Sequence, residues 1–202
     1  MSDVIEIFLK ELNKRLEQRH SLVLAIDGEC ASLKSTLALA LQKKLGAGVV
    51  HCDDFYLPAE LRTPERLSEA GGNIDYVRMK SEVIEKLKEA GEITYRPFDC
   101  HLMKLADAVS VEKARLVIVE GAYAMHPYFG KYYDMSLFLC AAVEERFQRI
   151  TNRGQDTERF RERWIPLENR YFEAYRIRGQ ADYIIDTTDI SGLENMIREL
   201  EV

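Results

Sequence analysis

No stretch of this chain approaches the roughly 18 consecutive apolar residues that a membrane span requires, so no spanning helix is expected. Cysteine is sparse: Cys30, Cys52, Cys100 and Cys140 are scattered, with no CxxC pair and no Cys/His ligand spacing. That pattern indicates neither zinc nor a disulfide framework and suits reduced thiols in a cytoplasmic protein. Positive charge is also short, and a net charge of −6 argues against non-specific nucleic-acid binding, which needs a basic face. There are only five prolines and one tryptophan, with no Pro/Gly-rich linker, repeat or low-complexity tract. The 202 residues therefore read as a single domain over 1–202.

The N-terminus, MSDVIEIFLKELNKRLEQRH, is acidic early and has no continuous apolar stretch, so no signal peptide is expected. Val4, Ile5, Phe8, Leu9, Leu12 and Leu16 recur at helical spacing and predict an N-terminal helix within 1–20. Beyond it, short apolar runs at 22–26, 48–52, 115–120, 135–140 and 182–186 alternate with helical patterns at 35–45, 75–90, 143–152 and 158–177. Strands that are apolar throughout and alternate with helices imply a parallel sheet covered on both faces. In such sheets ligands sit beyond the carboxyl ends of the strands.

The first of those ends carries GECASLKST, residues 28–36. A phosphate loop reads Gly, four residues, Gly-Lys-Ser/Thr, after a strand and opening a helix; here LVLAID precedes and LALALQKKL follows. Backbone amides of Gly28, Glu29, Cys30, Ala31, Ser32, Leu33, Lys34, Ser35 and Thr36 would cradle phosphate at a helix N-terminus. Lys34 would reach the outer phosphates, and the Ser35 hydroxyl would ligate Mg²⁺. An ordinary strand–turn–helix could carry the same letters, but a lysine at a helix N-terminus works against the dipole, which favours a ligand. Leu33 stands where the template has its second glycine, at a cost on the order of 1–2 kcal/mol if the position needs a left-handed backbone. Cys30, beside a helix start, is expected to have a lowered pKa and to be oxidisable.

Two further strand ends carry acids. In HCDDFYLP, either Asp53 or Asp54 could take the proton of an attacking hydroxyl, though aspartate also favours turns and caps. Glu120 closes the apolar RLVIVE and needs a cation or donor, such as Mg²⁺ at the loop. Between 144 and 178 there are nine arginines and no lysine. Arg146, Arg149 and Arg153 share one helical face, and NRGQD breaks that helix at a glycine, as a mobile lid would. Arg159, Arg161 and Arg163, interleaved with acids, read as a solvated face.

Taken in order, AIDGECASLKSTLA, DDFY, GNIDY, YRPFDC, VIVEGAYA, ERFQRITNRGQD and ADYIID resemble the uridine kinase-like branch of the P-loop kinases, over roughly residues 20–190. The resemblance implies a three-layer α/β P-loop NTPase fold with a five-stranded parallel sheet and an arginine-bearing lid around 149–163. It further implies ATP- and Mg²⁺-dependent phosphorylation of a small-molecule alcohol, most simply the 5′-hydroxyl of uridine or cytidine, by a protein that binds neither nucleic acid nor membrane. Position by position it makes Asp53 the general base, Lys34 and Ser35 the phosphate and metal residues, and Glu120 a second metal residue. Arg149 and Arg153 become catalytic lid arginines. Asp75, Tyr76, Phe98, Asp99 and Arg146 would hold the acceptor together with Asp53. The chain departs from the family at Leu33 and in FDCHLMKL, where His101 falls at a different spacing. A kinase for another alcohol, pantothenate-like or sugar-like, and a non-catalytic relative acting as an interaction protein are the alternatives.

Overall fold

The computed structural model describes residues 2–189 and 191. Five parallel strands form the central sheet: β1 (Leu22–Gly28), β2 (Gly48–His51), β3 (Leu116–Glu120), β4 (Met135–Cys140) and β5 (Tyr183–Asp186), in the order β2-β3-β1-β4-β5. Each coincides with one of the apolar runs to within two residues. Every residue of β3 and β4 is buried, as expected for strands covered on both faces.

The two faces carry separate cores. On one, α1 (Ser2–Gln18) and α2 (Lys34–Leu45) bury Phe8, Leu12, Leu37 and Leu41 against Leu24, Ile26 and Leu137. On the other, Phe55, Met79, Val83 and Tyr171 pack on Ala25, Val119 and Phe138. The 75–90 pattern becomes a continuous helical stretch over 76–88 containing a π turn at Lys80–Ile84. α3 (Val143–Asn152) has the predicted bounds. The next helical stretch opens at Thr157, passes through a π turn at Phe160–Trp164 and continues as α4 (Ile165–Tyr175). It stops at Arg176, where φ is +50°, two residues short of the expected end.

Two small antiparallel pairs were not anticipated: Ile93–Tyr95 with Val109–Val111, and Phe98–Asp99 with Lys104–Leu105. They project from the β2 side of the sheet. No helix among the described residues is long and apolar enough to cross a membrane.

Candidate active site

β1 occupies the centre of the sheet, and its last residue, Gly28, lies beside Leu139 of β4. A Cβ there would sit 2.1 Å from the Leu139 carbonyl oxygen, and φ is +138°. Only glycine lets the chain leave the sheet at this point. The turn that follows has Ala31 at φ +56° and Leu33 at φ 69°, ψ 23°, immediately before the first turn of α2. Residue 33 thus adopts the left-handed backbone that the template's glycine would take without cost. Its side chain is not wasted, because Leu33 is 8% exposed and belongs to the α1–α2 core.

Lys34 folds over this turn and donates through Nζ to the carbonyls of Gly28 (2.8 Å) and Glu29 (2.7 Å). Ser35 Oγ donates to Glu120 Oε1 at 3.0 Å, and His51 Nδ1 approaches the same oxygen at 2.5 Å. The Glu120 hydrogen bond holds the His51 imidazole above its usual range. The two acids of DDFY separate cleanly. Asp54 accepts from Tyr95 Oη at 2.7 Å, whereas Asp53 opens into the cavity, its one side-chain hydrogen bond among the described residues coming from Tyr56 Oη at 3.3 Å. Loss of solvation, and then the Glu120 charge, hold Asp53 above the usual carboxylate range. Water reaches it through the cavity mouth, which tempers the first effect.

The cavity these groups share is about 450 Å³. One side is the loop, with Cys30, Ala31, Ser32, Leu33, Lys34 and Ser35; Gly28, Glu29 and Thr36 adjoin these in sequence without lining it. Asp53, Glu120, Tyr56, Cys100, His101 and Trp164 line it as well, and Glu168 joins the lining next to the loop at Cys30. The Tyr56 and Trp164 rings lie 5.3 Å apart. Arg153, Gln155, Asp156 and Arg159 border the opening, next to Gly154 at φ +67°.

The donor set suits a hard divalent cation. The Ser35 hydroxyl and Glu120 carboxylate are adjacent oxygens, leaving other positions to phosphate and water, as Mg²⁺ prefers. It also suits a triphosphate: Ser32 Oγ is fully buried and has no partner among the described residues.

Several sequence expectations are corrected by these placements. Arg146, expected at the acceptor site, is 3% exposed behind the loop, with Nε donating to the Cys30 carbonyl at 3.0 Å and Nη1 3.2 Å from Glu29 Oε2. Arg149, expected on a mobile lid, is also buried, donating to the Ala31 carbonyl and to Thr187. The shared face of Arg146 and Arg149 points at the loop, and only Arg153 lies past the helix and borders the cavity. Asp75 is spent locally, capping the Arg78 amide at 3.0 Å. Tyr76 stacks on His126, Phe98 is buried, and Asp99 accepts from the amides of His101 and Leu102. None of the four lines the cavity. Cys30 is likewise reversed, because burial pushes its thiol up to about 11.

Three groups were missed, Asp27 and Glu168 buried and His51 exposed. Asp27, fully buried, accepts from the amides of Gly28, Tyr123 and Met125 and from Tyr171 Oη, tying β1 to the segment after β3 and to α4. Burial raises it to about 6. Glu168 accepts the Cys30 amide at 2.9 Å. His51 bears on Glu120. The usable signal was an acid inside an otherwise apolar segment, as in LAID and WIPLE.

No protein-family model matches the chain, and no curated protein matches it. Solved structures do. One described as a possible uridine kinase from Bacillus stearothermophilus is similar, with a TM-score of 0.68 at 21% identity, over 91% of this chain and 98% of that one. Shikimate kinase from Bacteroides thetaiotaomicron is similar with a TM-score of 0.50 at 19% identity, over 89% and 96%. The chain has the three-layer α/β fold of P-loop kinases. In that fold the loop after β1 is where residues 28–36 lie, and the carboxyl ends of β2 and β3 bring Asp53 and Glu120 beside it.

Proposed function

We propose that the chain is an ATP- and Mg²⁺-dependent kinase for the hydroxyl of a small molecule, with the 5′-hydroxyl of uridine or cytidine as the first acceptor. One observation carries the reading: Lys34, Ser35, Asp53 and Glu120, drawn from two strand ends and a helix start, face a single cavity. ATP·Mg²⁺ supplies the phosphoryl group and a stable leaving group. The chain's residues do the rest. Asp53 accepts the acceptor's hydroxyl proton, and its raised pKa makes it the stronger base. Lys34 turns from the Gly28 and Glu29 carbonyls to the outer phosphates, Ser35 and Glu120 hold the cation, and Arg153 neutralises charge from the rim.

A second reading keeps the chemistry and changes the alcohol. Because Asp75, Tyr76, Phe98 and Asp99 lie outside the cavity while Tyr56, His101 and Trp164 line it, a pantothenate-like or sugar-like acceptor is the alternative. A non-catalytic interaction protein is the third reading, motivated by Leu33 at φ 69°.

Transfer from radiolabelled ATP to uridine, cytidine, pantothenate and simple sugars, measured for the unaltered chain and for Asp53→Asn, separates them. The expected result is transfer to one acceptor, reduced about 10²–10⁴-fold in Asp53→Asn with ATP binding retained. Undiminished transfer in Asp53→Asn removes the base assignment. Absence of both transfer and ATP binding favours the interaction protein.

A further inference from the structure

Glu168 stands on α4, 138 residues from the loop it touches. Its Oε2 takes the Cys30 amide and lies 3.9 Å from Arg146 Nη2; its other oxygen has no hydrogen bond among the described residues. Arg146 in turn takes the Cys30 carbonyl, Arg149 Nη1 takes that of Ala31 at 3.1 Å, and Thr187 Oγ1 takes that of Ser32 at 3.2 Å. Three successive loop carbonyls and one loop amide are thus held by side chains from the last third of the described chain. Inside this bracket sit Ala31 and Leu33, both left-handed and neither glycine. A non-glycine residue does not hold that backbone unaided; it persists where the surroundings over-determine it.

We propose that Glu168 is a positioning residue for the phosphate loop: through the Cys30 amide and Arg146 it keeps residues 30–33 in the left-handed turn that Leu33 disfavours, so its importance depends on the residue at position 33. The carboxylate is retained at a cost, since burial pushes it up to about 7. An acid kept buried against such a penalty needs a specific partner, and the loop amide and Arg146 are the partners it has. The effect on nucleotide binding rests on reading residues 28–36 as a phosphate-binding loop; the effect on the loop itself does not.

The test is a double-mutant cycle on ligand-free protein and on ATP binding, using the unaltered chain, Glu168→Ala, Leu33→Gly and the pair. Amide hydrogen exchange across 28–36 should quicken about tenfold in Glu168→Ala when residue 33 is leucine, and less than about threefold when it is glycine. The ATP dissociation constant should weaken in the same proportions. Glu168→Gln should stay near the unaltered chain, because its side-chain carbonyl still accepts the Cys30 amide. If Glu168→Ala does not fold, Glu168→Asp, one methylene short of that amide, replaces it. Equal changes in both backgrounds, or unchanged loop exchange, would overturn the proposal. Failure of the unaltered chain to bind ATP would instead count against the kinase reading, while the exchange cycle would still decide the role of Glu168.

Discussion

Arg149 is joined twice to Thr187: Nη1 donates to Oγ1 at 3.1 Å and Nη2 to the backbone carbonyl at 2.5 Å. A third bond reaches the Ala31 carbonyl. This arginine therefore ties α3 and the end of β5 to the loop, and it is not free to swing over a substrate. Arg153, four residues on, is exposed at the cavity rim.

The two arginines should consequently fail in different ways. Arg149→Ala leaves buried carbonyls without donors and should lower stability by about 2–4 kcal/mol. Arg153→Ala should leave stability within about 0.5 kcal/mol and lower turnover on the order of a hundredfold. Chemical denaturation alongside steady-state kinetics measures both. A stable but inactive Arg149→Ala would reinstate it as a lid residue.

Leu33→Gly should move stability and affinity in opposite directions. Relief of the left-handed backbone returns about 1–2 kcal/mol, but the buried side chain is lost at about 2–3 kcal/mol and glycine adds roughly 1 kcal/mol of chain entropy. The balance is a loss of about 1–3 kcal/mol, seen as a melting temperature several degrees lower. ATP should nevertheless bind more tightly, as phosphate approaches a bare backbone. Calorimetry and thermal melting on the same samples test this, and affinity equal to that of the unaltered chain would refute the steric argument.

Acid should weaken the protein through His126. Buried among Tyr76, Phe129 and Tyr171, its imidazole donates Nε2–H toward the Ala70 carbonyl and accepts the Tyr128 amide on Nδ1. Burial lowers it to about 4 from 6.5. Between those values the unfolded chain binds a proton that the folded chain refuses. Its stabilising contribution is complete above 6.5 and lost as pH falls towards 4, by about 3 kcal/mol. Asp27 and Glu168, raised to about 6 and about 7, act oppositely: folded, they take up protons first and gain stability over the same descent. The stability difference between the unaltered chain and His126→Gln isolates the histidine. It should shrink from pH 7 to pH 4.5, and a flat difference would contradict the assignment.

Thiol chemistry offers the simplest check. Cys30, Cys52 and Cys140 are buried with thiols raised by burial, while Cys100 is exposed. Iodoacetamide at pH 8 should add once to the native protein, at Cys100. Intact-mass and peptide spectra read this directly, and prompt alkylation of Cys30 would show that the loop opens far more than its hydrogen bonds imply.

Much of the architecture was legible in the residues themselves. Buried parallel strands are apolar throughout, so RLVIVE and MSLFLC announced β3 and β4 almost to the residue. That the loop, Asp53 and Glu120 would meet was legible for a related reason, since polar residues at the ends of such strands gather beyond the carboxyl edge of the sheet. The small antiparallel pairs were not, because strands of two or three half-exposed residues carry no periodic signal. Nor was the sorting of the arginines: helical spacing put Arg146 and Arg149 on one face but could not say that the face meets the loop. Asp75 shows the same limit. Its letter suits a substrate contact, but its carboxylate is consumed by the first turn of the following helix.

The bracket around the loop also sets an order of events during synthesis. The phosphate loop begins at residue 28, yet Arg146, Glu168, Tyr171 and Thr187 all emerge more than a hundred residues later. At about 5–20 residues per second, the nascent chain spends roughly 3–13 seconds between the end of β3 and Thr187, with the loop made and its bracket incomplete. The loop's turn therefore reaches its full set of hydrogen bonds only after α3, α4 and the end of β5 have been made.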